Sequence, residues 1–179
     1  AHPHFNDQGT LNWHTKWAEA HAAAALEGKK IFIELKEGAH IVAPLKRAIA
    51  KSGLKEDQMV IISFKADAIA ESKRQLPQIR AHWLHSYKKD KTSGKYNNDF
   101  EQIVRTLKET KADGLGTQGR QEVVTGPFLD ALRQAGMQEF SVWTINEPAD
   151  AHYFRGLGTV AITTDRPGYL RKALGRPAP

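Results

Sequence analysis

The sequence contains no cysteine, which removes disulfides, zinc–thiolate centres and thiol nucleophiles and leaves the redox compartment open. It has no apolar run near the ~20 residues that cross a bilayer, so no membrane span is expected. Its first residues, AHPHFND, lack the basic-then-apolar order of an export signal. A start at Ala1 in place of Met points to a processed, tagged or excised chain. What is present is an ordinary globular mixture, 40% hydrophobic and 26% charged over 179 residues, enough for one domain with a buried core.

The formal net charge is +6, a balance that favours anionic partners in general. The basic residues are scattered, however, and the densest group, Lys88, Lys89, Lys91 and Lys95, falls in one polar loop whose plain reading is a solvated surface. Nucleic acid as a partner rests on charge alone, because the chain has neither an RNP-like aromatic string nor a zinc pattern.

Short β-rich runs alternate with runs of helical period. Residues 31–36, IFIELK, read as a strand; Ile41, Leu45, Ala48 and Ile49 then share one helical face over 40–52, with Gly53 as a stop. MVIISF at 59–64 is a continuous apolar strand of the doubly buried kind. A helix over 67–75 halts at Pro77, and 79–84 reads as a third strand. After the polar loop 88–98, Asp99 is placed to cap a helix carrying Phe100, Ile103, Val104 and Leu107 at i, i+3, i+4 and i+7. A glycine-rich strand over 113–118, a helix marked by Val124, Phe128, Leu132 and Ala135, a strand over 140–145, a helix from Pro148, a last strand over 159–163 and a closing helix over 167–174 complete the pattern.

Strict alternation of this kind implies a parallel sheet with right-handed crossovers. Closed (β/α)₈ barrels typically need ~250 residues, so six recognisable βα units predict a TIM-barrel-type α/β fold two units short, incomplete or completed by another chain. Residues 1–29 are read as an N-terminal segment whose Trp13, Trp17 and alanines 22–25 suggest a helix; 30–179 form the barrel portion.

Reactive groups in parallel α/β folds gather at the carboxyl ends of strands. Those ends supply Glu34 and Lys36, Ser63 and Phe64, His82, His85 and Ser86, Gln118, Trp143 and Asn146, then Thr164 and Asp165. Glu34 and Lys36 lie two apart on a strand and therefore share a face. A carboxylate beside an ammonium suits a divalent cation, which takes hard oxygen ligands, together with a phosphate oxygen whose charge grows during phosphoryl transfer. A structural ion pair in water is the plainer alternative. His82 and His85 have no partner nearby in sequence and read as surface or capping histidines.

IFIELKEG, MVIISFKADAIAESKRQLPQIRAHWL, ADGLGTQ and VWTINEPADAHYFRGLGTVAITTDRPGYL, in that order, resemble the later motifs of the glycerophosphodiester phosphodiesterases. The last segment is the most telling: a Val-Trp-Thr-x-Asn strand end at 142–146, an acidic-Asp-Ala helix start at 148–151 and an Ile-x-Thr-Asp-x-Pro closure at 162–167. The resemblance implies a metal-dependent hydrolase acting in lipid metabolism, which cleaves glycerophosphodiesters to glycerol 3-phosphate and an alcohol with one Ca²⁺ or Mg²⁺. It implies Glu34 as a metal-binding carboxylate, Lys36 as the catalytic lysine that approaches the phosphate, and Trp143 as an aromatic wall on the glycerol side. Asn146 and Asp165 organise loops in the same comparison.

The earlier strings of that family, a His-Arg pair, Glu-Asn-Thr, Glu-x-Asp and His-Asp, are absent. His2, His4, Asp7 and His14 lie where such material is expected, with other spacing. Two readings therefore stand: a diesterase completed by a second subunit or a complementing chain, because open barrel edges favour association, or a non-catalytic barrel-derived scaffold that binds phosphate.

Overall fold

A computed structural model describes residues 28–175 together with Glu19. Most of the N-terminal segment expected over 1–29, with its histidines and tryptophans, lies outside the described residues.

Six strands run parallel in one sheet whose spatial order equals the chain order: β1 (Ile31–Glu34), β2 (Met59–Ser63), β3 (Arg80–His85), β4 (Gly114–Gln118), β5 (Glu139–Trp143) and β6 (Ala161–Ile162). Each is followed by a helix: α1 (Val42–Ala50), α2 (Ala66–Gln75), α3 (Phe100–Thr110), α4 (Gly126–Gln134), α5 (Pro148–Gly156) and α6 (Pro167–Ala173). The expected six βα units are all present, displaced by one or two residues at most of their ends. The first helix is preceded by a single 3-10 turn (Ala39–Ile41), and the last strand shrinks to two residues.

Alternation along the strands divides the side chains between two faces. Ile33 and Leu35 of the first unit, Ile61, Ala81, Leu115, Phe140 and Val142 are buried in one apolar cluster with Val42, Ile69, Ile103, Leu129 and Phe154 from the helices. Each fully buried large side chain contributes about 1.5–3 kcal/mol, so this convex, helix-covered face is where stability resides.

The other face is concave. Phe64, just past β2, and Trp143 of β5 touch edge-to-face with ring centroids 5.4 Å apart, although three strand intervals in a flat sheet would separate them by about 14 Å. The sheet is therefore curled as a barrel wall. Two glycines of β4 permit the tight curl. A Cβ on Gly114 would collide with the Glu139 carbonyl oxygen and lie 3.0 Å from the His82 ring, and one on Gly116 would collide with Leu84.

The β3–α3 connection departs from the parallel pattern. Lys89 and Tyr96 form an antiparallel bridge, and Asp90 N donates to Lys95 O (2.8 Å), Gly94 N to Asp90 O (2.9 Å) and Asn97 N to Lys88 O (3.0 Å). The Asp90 carboxylate accepts from the backbone of Thr92 and Ser93 and from the Ser93 hydroxyl. The polar loop is thus a small ordered hairpin.

Candidate active site at the barrel mouth

Glu34 ends β1 and Lys36 follows two positions later, both on the face opposite the buried Ile33 and Leu35. Phe32, on the same side of β1 as Glu34, meets the ring of His82 at 6.4 Å across the concavity. Glu34 and Lys36 therefore belong to the concave side, which is also the side of Trp143. Lys36 Nζ lies 3.3 Å from Glu34 Oε1, with the two side chains 79% and 36% exposed. A pair this accessible contributes about 1 kcal/mol at most, so stability does not account for its position.

Trp143 is fixed by its indole N–H, which donates to the Gly116 carbonyl at 2.9 Å, and by its edge contact with the 48% exposed Phe64. Beyond it, Asn146 works as a clasp. Its amide N–H donates to Asp165 Oδ2 (2.9 Å), while its Oδ1 accepts from Asp165 N (2.9 Å) and the Thr164 hydroxyl (3.1 Å). These bonds tie the loop after β6 to the end of β5, the loop-organising part expected of Asn146 and Asp165.

Ser63, His82 and His85 are not brought to the mouth. Ser63 is buried on the convex side, where its hydroxyl donates to Leu35 O at 2.6 Å. The histidines correct the expectation of surface groups, for both are buried. His82 lies within β3, on the floor of the concave face. Its Nε2 is 2.8 Å from Glu139 Oε1 and its Nδ1 is 3.1 Å from Ser141 Oγ; Arg80 pairs with the other Glu139 oxygen. The hydrogen bond from His82, with help from the Arg80 charge, holds the Glu139 carboxyl below its ordinary range against the opposing effect of burial.

His85 points to the convex side, where Nε2 is 3.1 Å from Asp99 Oδ2. Burial depresses its pKa, although Asp99 works in the opposite direction. Asp99 thus stands at the N-cap of α3, as expected, but makes no capping bond. Its carboxylate serves His85 instead, and Asn98 Oδ1 accepts from Phe100 N. Tyr87, beside His85, has its phenol pushed up to about 12 by burial. Sequence reasoning did not single out Arg80, Glu139 or Ser141, because their partners are up to 59 positions away.

A divalent cation needs several hard oxygen donors at one point. Among the described residues no group of three or more His, Asp or Glu side chains is placed to hold one. Glu34 is one carboxylate, and its near neighbour is a cation. The described residues alone do not make up a metal centre.

Parallel strands in chain order, helices over the convex side and polar groups at the carboxyl mouth define an α/β chain of the TIM-barrel type with six of the eight units. The chain belongs to the glycerophosphoryl diester phosphodiesterase family, whose model matches residues 10–169. Among solved structures, a phosphodiesterase of Oleispira antarctica in complex with the product sn-glycerol-3-phosphate superposes with a TM-score of 0.69 at 18% identity, covering 89% of this chain and 60% of that one. A glycerophosphodiester phosphodiesterase of Parabacteroides distasonis gives 0.63 at 22% identity over 86% and 60%, and that of Thermotoga maritima gives 0.57 at 19% over 80% and 57%. The chain thus spans about 60% of the length of these relatives. No curated protein sequence matches it.

Proposed function

We propose that this chain carries the later wall of a glycerophosphodiester phosphodiesterase, with Lys36, Glu34 and Trp143 as its share of the site. The observation that carries the reading is the exposed Glu34–Lys36 pair on the concave face, in a chain of this family. In the reaction water adds to phosphorus, the P–O bond to the alcohol breaks, and glycerol 3-phosphate and the alcohol leave. The Lys36 ammonium would hold a phosphoryl oxygen and stabilise the charge that develops there. The Trp143 ring, fixed by the Gly116 carbonyl and buttressed by Phe64, would form the apolar wall against the glycerol carbons. Among the described residues Glu34 would be the donor to a Ca²⁺ or Mg²⁺ ion, which would neutralise phosphate charge when bound. The remaining donors, and the groups that take and give protons, have to come from outside the described residues or from a second chain, so oligomerisation or complementation is part of the proposal.

A single candidate carboxylate among the described residues also supports the second reading, a phosphate-binding scaffold without turnover when the chain is alone. Assay of the purified chain on glycerophosphoglycerol and glycerophosphocholine, with and without EDTA, separates the two. Metal-dependent release of glycerol 3-phosphate is expected for the enzyme, and its absence from a homogeneous preparation would leave the scaffold.

A further inference from the structure

The rim of the mouth beside Trp143 carries more cations than acids. Gly119 N donates to the Trp143 carbonyl at 2.7 Å, which sets Arg120 immediately outside the Trp143 strand end. The guanidinium of Arg120 stands over the ring of Tyr96, with Cζ 5.0 Å from the centroid, and Lys89 Nζ approaches the same ring at 5.6 Å. Two loops, those following β3 and β4, therefore bring a lysine and an arginine together on one aromatic platform. Like charges gathered on one ring repel, and contacts of a cation with an exposed aromatic face offset this only weakly.

Nearby acids compensate only in part. The two loops hold five cations (Lys88, Lys89, Lys91, Lys95 and Arg120) against three acids, Asp90, Asp99 and Glu122. Asp90 is consumed by its own turn and Asp99 by His85. Among the described residues no acid pairs with Arg120 or Lys89, and the Arg120 Nε–H is buried without an acceptor.

We infer that Arg120 and Lys89, gathered over Tyr96, form a rim subsite for a second anionic group on the substrate, beyond the phosphate that is cleaved. This rests on the diesterase reading and names its substrate class: phosphodiesters that carry a further phosphate or carboxylate. A cationic alcohol such as choline is disfavoured by the same charges.

Calorimetric titration of the full chain with three ligands tests this. They are bis(glycerophospho)glycerol with its second phosphate, glycerophosphoglycerol with a neutral alcohol, and glycerophosphocholine with a cationic one. Affinity is expected to fall in that order, with about tenfold between the first two, the worth of one charge-assisted hydrogen bond, and with the gap shrinking as salt screens the charges. Arg120→Gln should narrow the gap to about twofold, and Lys89→Gln, in a hairpin held by backbone hydrogen bonds, should narrow it less. Equal affinities in the wild type, or a preference that survives both substitutions, would overturn the subsite and leave the diesterase reading standing. Failure to bind any of the three would remove that reading, and the subsite with it.

Discussion

The two ends of the concave face treat polar side chains in opposite ways. At the floor, Arg80, His82, Glu139 and Ser141 close on one another, and His82 is wholly buried with both ring nitrogens matched. At the mouth, among the described residues, Glu34 pairs with Lys36 in solvent, and Arg120 stands over an aromatic ring with no acid paired to it. Satisfied polar networks hold a structure in one arrangement; groups kept accessible at a strand end contribute little to folding and are available to a ligand. Position on the wall, and not residue type, separates the two roles: His82 would suit chemistry, but it is spent on structure.

Substitutions at the two ends should therefore move different observables. The largest effect is expected for Lys36→Ala, a fall in kcat/KM of roughly 10²–10³, the size of losing one preorganised donor, with an unchanged urea midpoint; a loss of stability in its place would make Lys36 a structural residue. At the floor, Gly114→Ala forces a methyl group against the Glu139 carbonyl and should cost about 2–3 kcal/mol of overpacking, read by chemical denaturation. Glu139→Leu removes the acceptor from the buried His82 and should cost about 1–2 kcal/mol at neutral pH.

The same carboxylate gives a pH signature. Because its pKa is lowered in the fold, its stabilisation is complete above the ordinary value of 4.5 and is lost as pH falls through the depressed one. Glu139→Leu should flatten the acid limb of the stability profile below that value. The smallest effect belongs to His85. Its folded pKa lies below 6.5, so the stability tied to its neutral form is full above pH 6.5 and declines as pH falls below it, a slope that His85→Asn should remove.

Most of the wall was legible before the structure, because hydrophobic period and Gly/Pro punctuation are local signals. MVIISF and FSVW are apolar enough to be strands in any context, and Gly53, Pro77 and Gly136 stop what precedes them. The shared face of Glu34 and Lys36 followed from period two alone. The floor was not legible. His82 looked like a strand-end histidine because its partners, Glu139 and Ser141, come from a strand two places away. The glycines of 113–118 signalled a strand, but the neighbours that require them are set by the curl. Asp99 had the position of a cap and the partner of something else. Arg120 carried no motif; its one signal was its place two residues past a strand end.

The hairpin between β3 and α3 decides how the rim meets a ligand. Three backbone hydrogen bonds and the Asp90 turn hold it closed around Tyr96. An anion arriving there finds Lys89 on a preset support, so little conformational entropy is lost on capture. Recognition should then run as rigid docking, with ionic strength acting on the speed of arrival, and the amides of Asp90, Gly94 and Asn97 should exchange slowly with solvent even in the ligand-free chain.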